Sequence, residues 1–264
     1  MSAAAADAPA RMMLVTAART AYLGLLGRPA TRCMGAVTVY ASLGAPLRIG
    51  APGGAVQRLC AIAAVPAYAP HVVATEDRHI AIVQIEPETA RTEALVHALN
   101  RVDAVAAAAA ERIRAGFAHL PAVGDGAAEF DRLFFGRPLP ARPLDPRIAA
   151  VIARISADPA GKLSAEASAA LAGLSFSRFM HLFTEQTGTT FRRFRAWKRA
   201  RTLLTLVKGQ AAIVDTALDT GYADSTHFSH SIRKVYGMPP REMIAGSRRL
   251  ELYSRWPGGA LRAG

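Results

Sequence analysis

The chain has 264 residues and a formal net charge of +12 with only 20% charged residues. That length allows one large domain or two ordinary ones, and the basic excess points to a polyanionic partner or an anionic membrane surface. Two cysteines, Cys33 and Cys60, exclude a disulfide framework and any CxxC metal knuckle. The N-terminal MSAAAADAPARMM lacks the basic-then-apolar layout of a signal peptide, and the apolar run before Glu111 is too short to span a bilayer. The expectation is a soluble cytoplasmic protein with no membrane partner.

In chain order, AVTVY (36–40), PLRIG (46–50), AVQRLCAIAAV (55–65), HVVAT (71–75) and HIAIVQIE (79–86) are short and bounded by Gly, Pro or charged turns. No amphipathic helix lies between them, so they predict a small antiparallel barrel or sandwich rather than βαβ units. Helices are expected at 88–99, 103–119 and 126–135. GRPLPARPLDPR (136–147) then places Pro138, Pro140, Pro143 and Pro146 close together, which forbids regular helix and favours an extended linker. The expected division is a domain at 1–135, the Pro-rich linker at 136–147, a second domain at 148–250 and a tail at 251–264.

After the linker every segment reads helical: 146–157, 164–171, 176–186, 190–207, 211–219, 225–236 and 239–245. Residues 145–250 carry 16 Lys/Arg against 8 Asp/Glu, so most of the positive excess lies in this half. A shift of 49 residues superposes Ser175 on Asp224, Phe179 on Phe228, His181 on His230 and Gly188 on Gly237. Each copy is a helix, a glycine turn (AGLS 172–175, GYAD 221–224) and a second helix. Gly173 and Gly221 suit a helix end, and Ser175 and Asp224 offer a side-chain oxygen as N-cap. This is the layout of a tandem helix-turn-helix.

At 100° per residue, Phe228, Ile232 and Val235 share one face within about 60°, while Thr226, His230 and Arg233 lie opposite. In the first copy Phe179, Leu182 and Phe183 oppose Ser177, His181 and Thr184. Both second helices therefore aim a hydroxyl and, one turn later, a histidine away from the core, at a spacing suited to base edges in a major groove. Between the copies, RRFRAWKRAR (192–201) has six basic residues in ten. Some of these are expected on phosphate, with Phe194 and Trp197 turned to the core. His227 and His230 lack the further ligands of a metal site, and neither has a partnered nucleophile or oriented carboxylate for catalysis. No enzyme activity and no cofactor are expected.

Two stretches, AALAGLSFSRFMHLFTEQTGTTF and VDTALDTGYADSTHFSHSIRKVYGMPP, make residues 146–245 resemble the DNA-binding domain of the AraC/XylS family of bacterial transcription regulators. The resemblance implies two helix-turn-helix units joined by a long helix at about 190–207, with recognition helices in successive major grooves. It carries base contacts over to Ser177, Met180 and His181 in the first unit and to Ser225, Thr226 and His230 in the second. Phosphate contacts are then expected from Arg178, Arg192, Arg193, Lys198, Arg199, Arg233 and Lys234. Many family members have arginine where His181 and His230 stand, and histidine has the shorter reach.

The N-terminal half resembles the family more loosely, through VPAYAPHVVATEDRHIAIVQIEP. There the family often carries a cupin-like β-barrel for an effector or for dimerisation. Neither His71 nor His79 sits in the paired-histidine and glutamate motif of metal-binding cupins, and effector contacts stay unassigned. The fold class expected is thus two-domain: an N-terminal, mostly β, cupin-like barrel with appended helices, then a C-terminal all-α double helix-turn-helix. The implied function is sequence-specific transcription regulation on double-stranded DNA in response to a small-molecule effector, with RNA polymerase and a second copy of the chain as further partners. Two alternatives stay open: an effector-independent DNA-binding adaptor, and a cupin-type metal-binding or enzymatic protein with an incidental helical domain.

Overall fold

A two-residue alternation, blurred in the sequence by alanines, builds a six-stranded sheet with both faces buried. The computed structural model describes residues 11–54, 57–208, 215 and 220–255. Strands β1 (Arg11–Thr16), β2 (Arg19–Leu25), β3 (Val37–Ala41), β6 (Ile62–Val65), β8 (His79–Ile85) and β9 (Leu250–Arg255) form this sheet in the order β6-β3-β8-β2-β1-β9. Strands β4 (Leu47–Gly50), β5 (Arg58–Cys60) and β7 (Val72–Ala74) form a second sheet in the order β5-β4-β7. All pairings are antiparallel except β1 with β9, which run parallel from Arg11 opposite Leu250 to Thr16 opposite Arg255.

One face of the large sheet carries Leu14, Ala21, Val39, Ala41, Ala64, Ala81 and Val83. Its small residues let three helices approach closely: α1 (Glu93–Leu99), α2 (Ala104–Gly116) and α3 (Ala127–Phe135), whose Phe130 and Phe134 are fully buried. A 3-10 turn at Phe117–Ala122 links the last two. The opposite face carries Met13, Val15, Tyr40, Ala63, Ile80 and Ile82, and it meets Leu47, Ile49 and Val73 of the small sheet. The same core continues into the C-terminal half through Trp197, Leu203, Phe228 and Ile232.

Strands occupy all five stretches expected from the sequence, with 55–65 split into β5 and β6 at Ala61. The expected helix at 88–99 begins only at Glu93, because residues 87–90 turn, the Thr89 N–H donating to the Glu86 carbonyl. Strands β1, β2 and β9 were not anticipated. RMMLVT and RTAYLGL are buried on both faces, so they show no polar alternation to read. The expectation of a tail at 251–264 is corrected by β9, which takes up residues 250–255.

The C-terminal half is tandem-helical: α4 (Pro146–Ala157), α5 (Ala165–Leu171), α6 (Phe176–Thr187), α7 (Phe191–Leu206), α8 (Ser225–Tyr236) and α9 (Pro240–Gly246). A helix expected at 211–219 lies outside the described residues, Asp215 apart. Asp145 caps α4 by accepting from the Arg147 N–H, with Pro146 in the first turn where its missing donor costs nothing. The proline-rich stretch before it is tied down. The Leu139 N–H donates to Asp131 at 3.1 Å, the Arg91 N–H to the Pro140 carbonyl at 2.8 Å, and Arg142 pairs with Glu93 at 2.6 Å. No described helix is long and apolar enough to cross a membrane.

Candidate nucleic-acid interface

The two helix-turn-helix units repeat their backbone chemistry. Gly173 and Gly221 both sit in the left-handed region, at φ 63° and 77°, and so do the closing Gly188 and Gly237, at 69° and 74°. Gly221 is doubly constrained, since a Cβ there would lie 2.6 Å from the Ala160 carbonyl oxygen. The caps differ in quality. Asp224 accepts from the His227 N–H at 2.7 Å, whereas Ser175 accepts from the Arg178 N–H at 3.4 Å.

Helix α6 buries Phe179, Leu182 and Phe183, and α8 buries Phe228, Ile232 and Tyr236. On the outer faces, Ser177, Arg178 and His181 of α6 are exposed, as are Thr226, His230, Arg233 and Lys234 of α8. Ser225 is half-buried, and so is Met180, which packs against the core of the first unit. Sequence reasoning overlooked Phe176. It is 49% exposed beside Ser177, an aromatic ring at the start of a helix that points hydrogen-bonding groups outward. His227 lies edge-on to the Tyr222 ring at 5.4 Å, on the flank of α8.

Helix α7 sorts its cations by rotation. Arg192 and Arg193 are exposed, while Arg195 donates to the Leu163 and Gly161 carbonyls and Arg199 to those of Pro159, at 3.3 Å, and Gly161. Lys198 corrects the sequence reading: it is 1% exposed, held between Glu86 and Glu88, and out of reach of any phosphate. Arg201, from the same basic run, is fully buried. It pairs with Glu86 at 3.0 Å and donates to the carbonyls of Thr16, Ala17 and Arg19. The Trp197 indole N–H completes the joint by donating to both Glu86 oxygens. Burial opposes the charge on Glu86, but Lys198 and Arg201 outweigh it and hold the carboxyl below its usual range. Burial likewise opposes the charge on Lys198, and Glu86 and Glu88 hold its pKa above the ordinary value. The sequence carried no hint of this joint, because Glu86 and Glu88 lie more than a hundred residues from their partners.

Two cavities flank α7. The larger, about 760 Å³, is a cleft between the two helix-turn-helix units, lined by Arg192, Arg193, Arg195, Arg199, Lys234, His227 and His230 and by no carboxylate. The smaller, about 210 Å³, lies between the β domain and the second unit. Apolar side chains including Met13, Leu26, Met34, Ile82, Leu204 and Met243 line it, together with Arg32, Gln84 and Glu242. Arg32 is 4% exposed; its Nη2 donates to the Leu26 carbonyl at 2.7 Å, and its Nε has no hydrogen-bond partner. Behind it, His71 shares a 2.7 Å hydrogen bond with the Tyr40 hydroxyl, and burial pushes its pKa down. No group of three or more His, Cys, Asp or Glu among the described residues could hold a metal ion.

Residues 168–246 match a family model described as a helix-turn-helix domain. Invasion protein InvF of Salmonella typhimurium is 32% identical over 72 residues, covering 27% of this chain and 33% of InvF; the chain thus aligns with about a third of the length of that relative. Among solved structures, ToxT from Vibrio cholerae superposes at a TM-score of 0.56 with 13% identity, over 86% of this chain and 97% of ToxT. ToxT with an unsaturated fatty acid bound superposes at 0.51 with 10% identity, over 87% of this chain and 95% of ToxT. At these identities the ToxT likeness is one of fold: an N-terminal β-sheet domain followed by a tandem-helical domain.

Proposed function

We propose that the chain, whose residues 168–246 match a helix-turn-helix domain model, is an AraC/XylS-type regulator: a sequence-specific, double-stranded-DNA-binding transcription regulator controlled by an apolar acid. One observation carries the DNA reading. The repeated units expose equivalent faces, Ser177 with His181 and Thr226 with His230, and the cleft between the units carries four arginines and a lysine with no carboxylate. Helices of this width enter a major groove, and the cleft between them suits the intervening phosphates. Base contacts fall on Ser177, His181, Ser225, Thr226 and His230, with Met180 reduced to an apolar edge. Phosphate contacts fall on Arg178, Arg192, Arg193, Arg199, Arg233 and Lys234. The domain division at 136–147 belongs to the same reading.

The test is a binding titration on sites selected from randomised DNA. Replacing His230 by Ala should cost about 1–3 kcal/mol on the matched site and little on one mismatched at that base. Replacing Arg192 should weaken both sites alike and flatten the salt dependence. Equal losses on both sites for the histidine variant would remove it from base reading, and no enriched motif would favour an adaptor that binds by charge alone.

The effector reading rests on the smaller cavity. A mostly apolar chamber with one buried guanidinium, and no ion pair to Arg32 among the described residues, suits an apolar chain ending in a carboxylate. The fatty acid bound to ToxT has that chemistry. Calorimetry with oleate tests it: saturable binding that is lost in Arg32→Gln is expected, and no heat of binding to the intact chain would sink it.

A further inference from the structure

Four consecutive residues before β3 separate the two cavities. Arg32 and Met34 line the apolar chamber, whereas Cys33 and Gly35 line the basic cleft. A chain that sends alternate residues to opposite sides makes a wall one residue thick. Each side of it is fastened to something different.

On the cleft side the wall touches the DNA-binding helices directly. The Cys33 N–H donates to the Val235 carbonyl, in the last turn of α8, at 3.0 Å. Gly35 lies against Trp197 of α7 so closely that a Cβ would fall 2.3 Å from the indole Cγ. The Met34 carbonyl accepts from the Tyr68 N–H at 2.7 Å. Tyr68 in turn holds Arg193: the guanidinium carbon sits 4.9 Å from the centre of its ring, and Nη2 donates to its carbonyl at 3.3 Å. Among the described residues Tyr68 is the one non-glycine with positive φ, at 62°. Such a backbone costs on the order of 1–3 kcal/mol and persists only where its surroundings impose it. Here the Met34 and Arg193 contacts impose it.

Arg32 faces the chamber from the same wall. An anion entering there would pull on the guanidinium against its bond to the neutral Leu26 carbonyl, because a carboxylate is the stronger acceptor for that cation. That pull acts on Cys33, one peptide away. Helix α7 itself is pinned by Glu86 and Glu88 through Lys198 and Arg201, so it does not follow. What can respond is the Arg193 side chain and the C-terminal end of α8. Building on the reading of the chamber as an acid site, we propose that the Arg32–Gly35 wall couples it to the DNA-binding face. Arg32 senses the ligand, and Cys33 and Tyr68 set the seat of α8 and the freedom of Arg193.

The experiment is a double-mutant cycle on the full chain, read as DNA affinity by fluorescence anisotropy on a selected site. Its variants are Arg32→Gln, Tyr68→Gly and the pair. Glycine adopts φ 62° without strain and deletes only the ring; Tyr68→Asn, which also tolerates that conformation, repeats the test if the glycine variant folds poorly. Coupling should make the pair depart from the product of the single effects by about threefold or more. Oleate should change wild-type DNA affinity about fivefold or more. In Tyr68→Gly that response should fall below about twofold, with oleate binding itself unchanged. Independent effects in the cycle, or a full oleate response without the Tyr68 ring, would overturn the coupling and leave the chamber reading standing. Absence of oleate binding to the wild type would sink the chamber reading, while the ligand-free cycle still decides the wall.

Discussion

The two helix-turn-helix units share a sequence plan but belong to different cores. The first closes on itself, with Ile148, Val151, Phe179, Phe183, Phe191 and Phe194 forming one cluster. The second has no such cluster: Phe228, Ile232 and Tyr236 enter the core built on the β-sheet by Tyr40, Ile80 and Ile82. One recognition helix is thus carried by a local bundle and the other by the N-terminal domain. Repeated sequence therefore does not mean equivalent mechanics. The first unit packs on its own bundle, and of the two only the second borders the smaller chamber, so on the proposed reading it is the one an effector would reach.

The sharpest way to break that comparison is to hollow each core. Phe179→Ala and Phe228→Ala each remove a fully buried ring and should cost about 3–5 kcal/mol. Hydrogen exchange should show the first substitution loosening α4–α6 and the start of α7 without the sheet, and the second lowering protection in β1, β3 and β8. Identical exchange patterns would mean a single cooperative core. Next comes the joint. Glu86→Gln leaves Lys198 and Arg201 short of charge in a buried site and should also cost about 3–5 kcal/mol at neutral pH. The Glu86 carboxyl titrates below its usual range in the folded chain, so its stabilisation is present above the unfolded value of about 4.3 and is lost as pH falls through the folded one. Urea midpoints of wild type and variant should converge in acid; a constant gap down to the acid limit would exclude the ion pairs as the cause.

Smaller effects separate the two recognition helices. His181→Ala and His230→Ala should each cost about 1–3 kcal/mol at one base position. Added oleate should change only the His230 penalty, which comparative titrations would read. The smallest contrast concerns the caps. Asp224→Ala, which loses a 2.7 Å bond, should cost about 1–2 kcal/mol, and Ser175→Ala, which loses one of 3.4 Å, about 0.5 kcal/mol or less. Thermal unfolding that ranked them in reverse would show that bond length is not what distinguishes these caps.

The helical half was legible because its signals are local. Glycine turns, capping side chains and a helical period leave a record within a few residues, and the 49-residue repeat doubles it. Where the signals are long-range, reading failed. Lys198 and Arg192 look alike in RRFRAWKRAR, and only the position of Glu86 and Glu88 sends one inward. Strand β1 carries no alternation because helices cover one face of its sheet and the second unit the other. Arg32 gave no sign of being a buried cation, since what surrounds it comes from β8, α7 and α9.

Strand β9 has a consequence for how the chain is made. Its six residues pair with β1, whose outer edge faces no other strand among the described residues. That edge stays open to stray pairing while the ribosome works through more than two hundred intervening positions. Parallel partners so far apart close slowly, because loop entropy must be overcome before the pairing repays it. The β domain therefore finishes its sheet only after both helix-turn-helix units have emerged. Assembled in that order, the chain completes the edge of its large sheet last, and a ribosome that stops short of residue 250 releases both helix-turn-helix units beside an unfinished β domain.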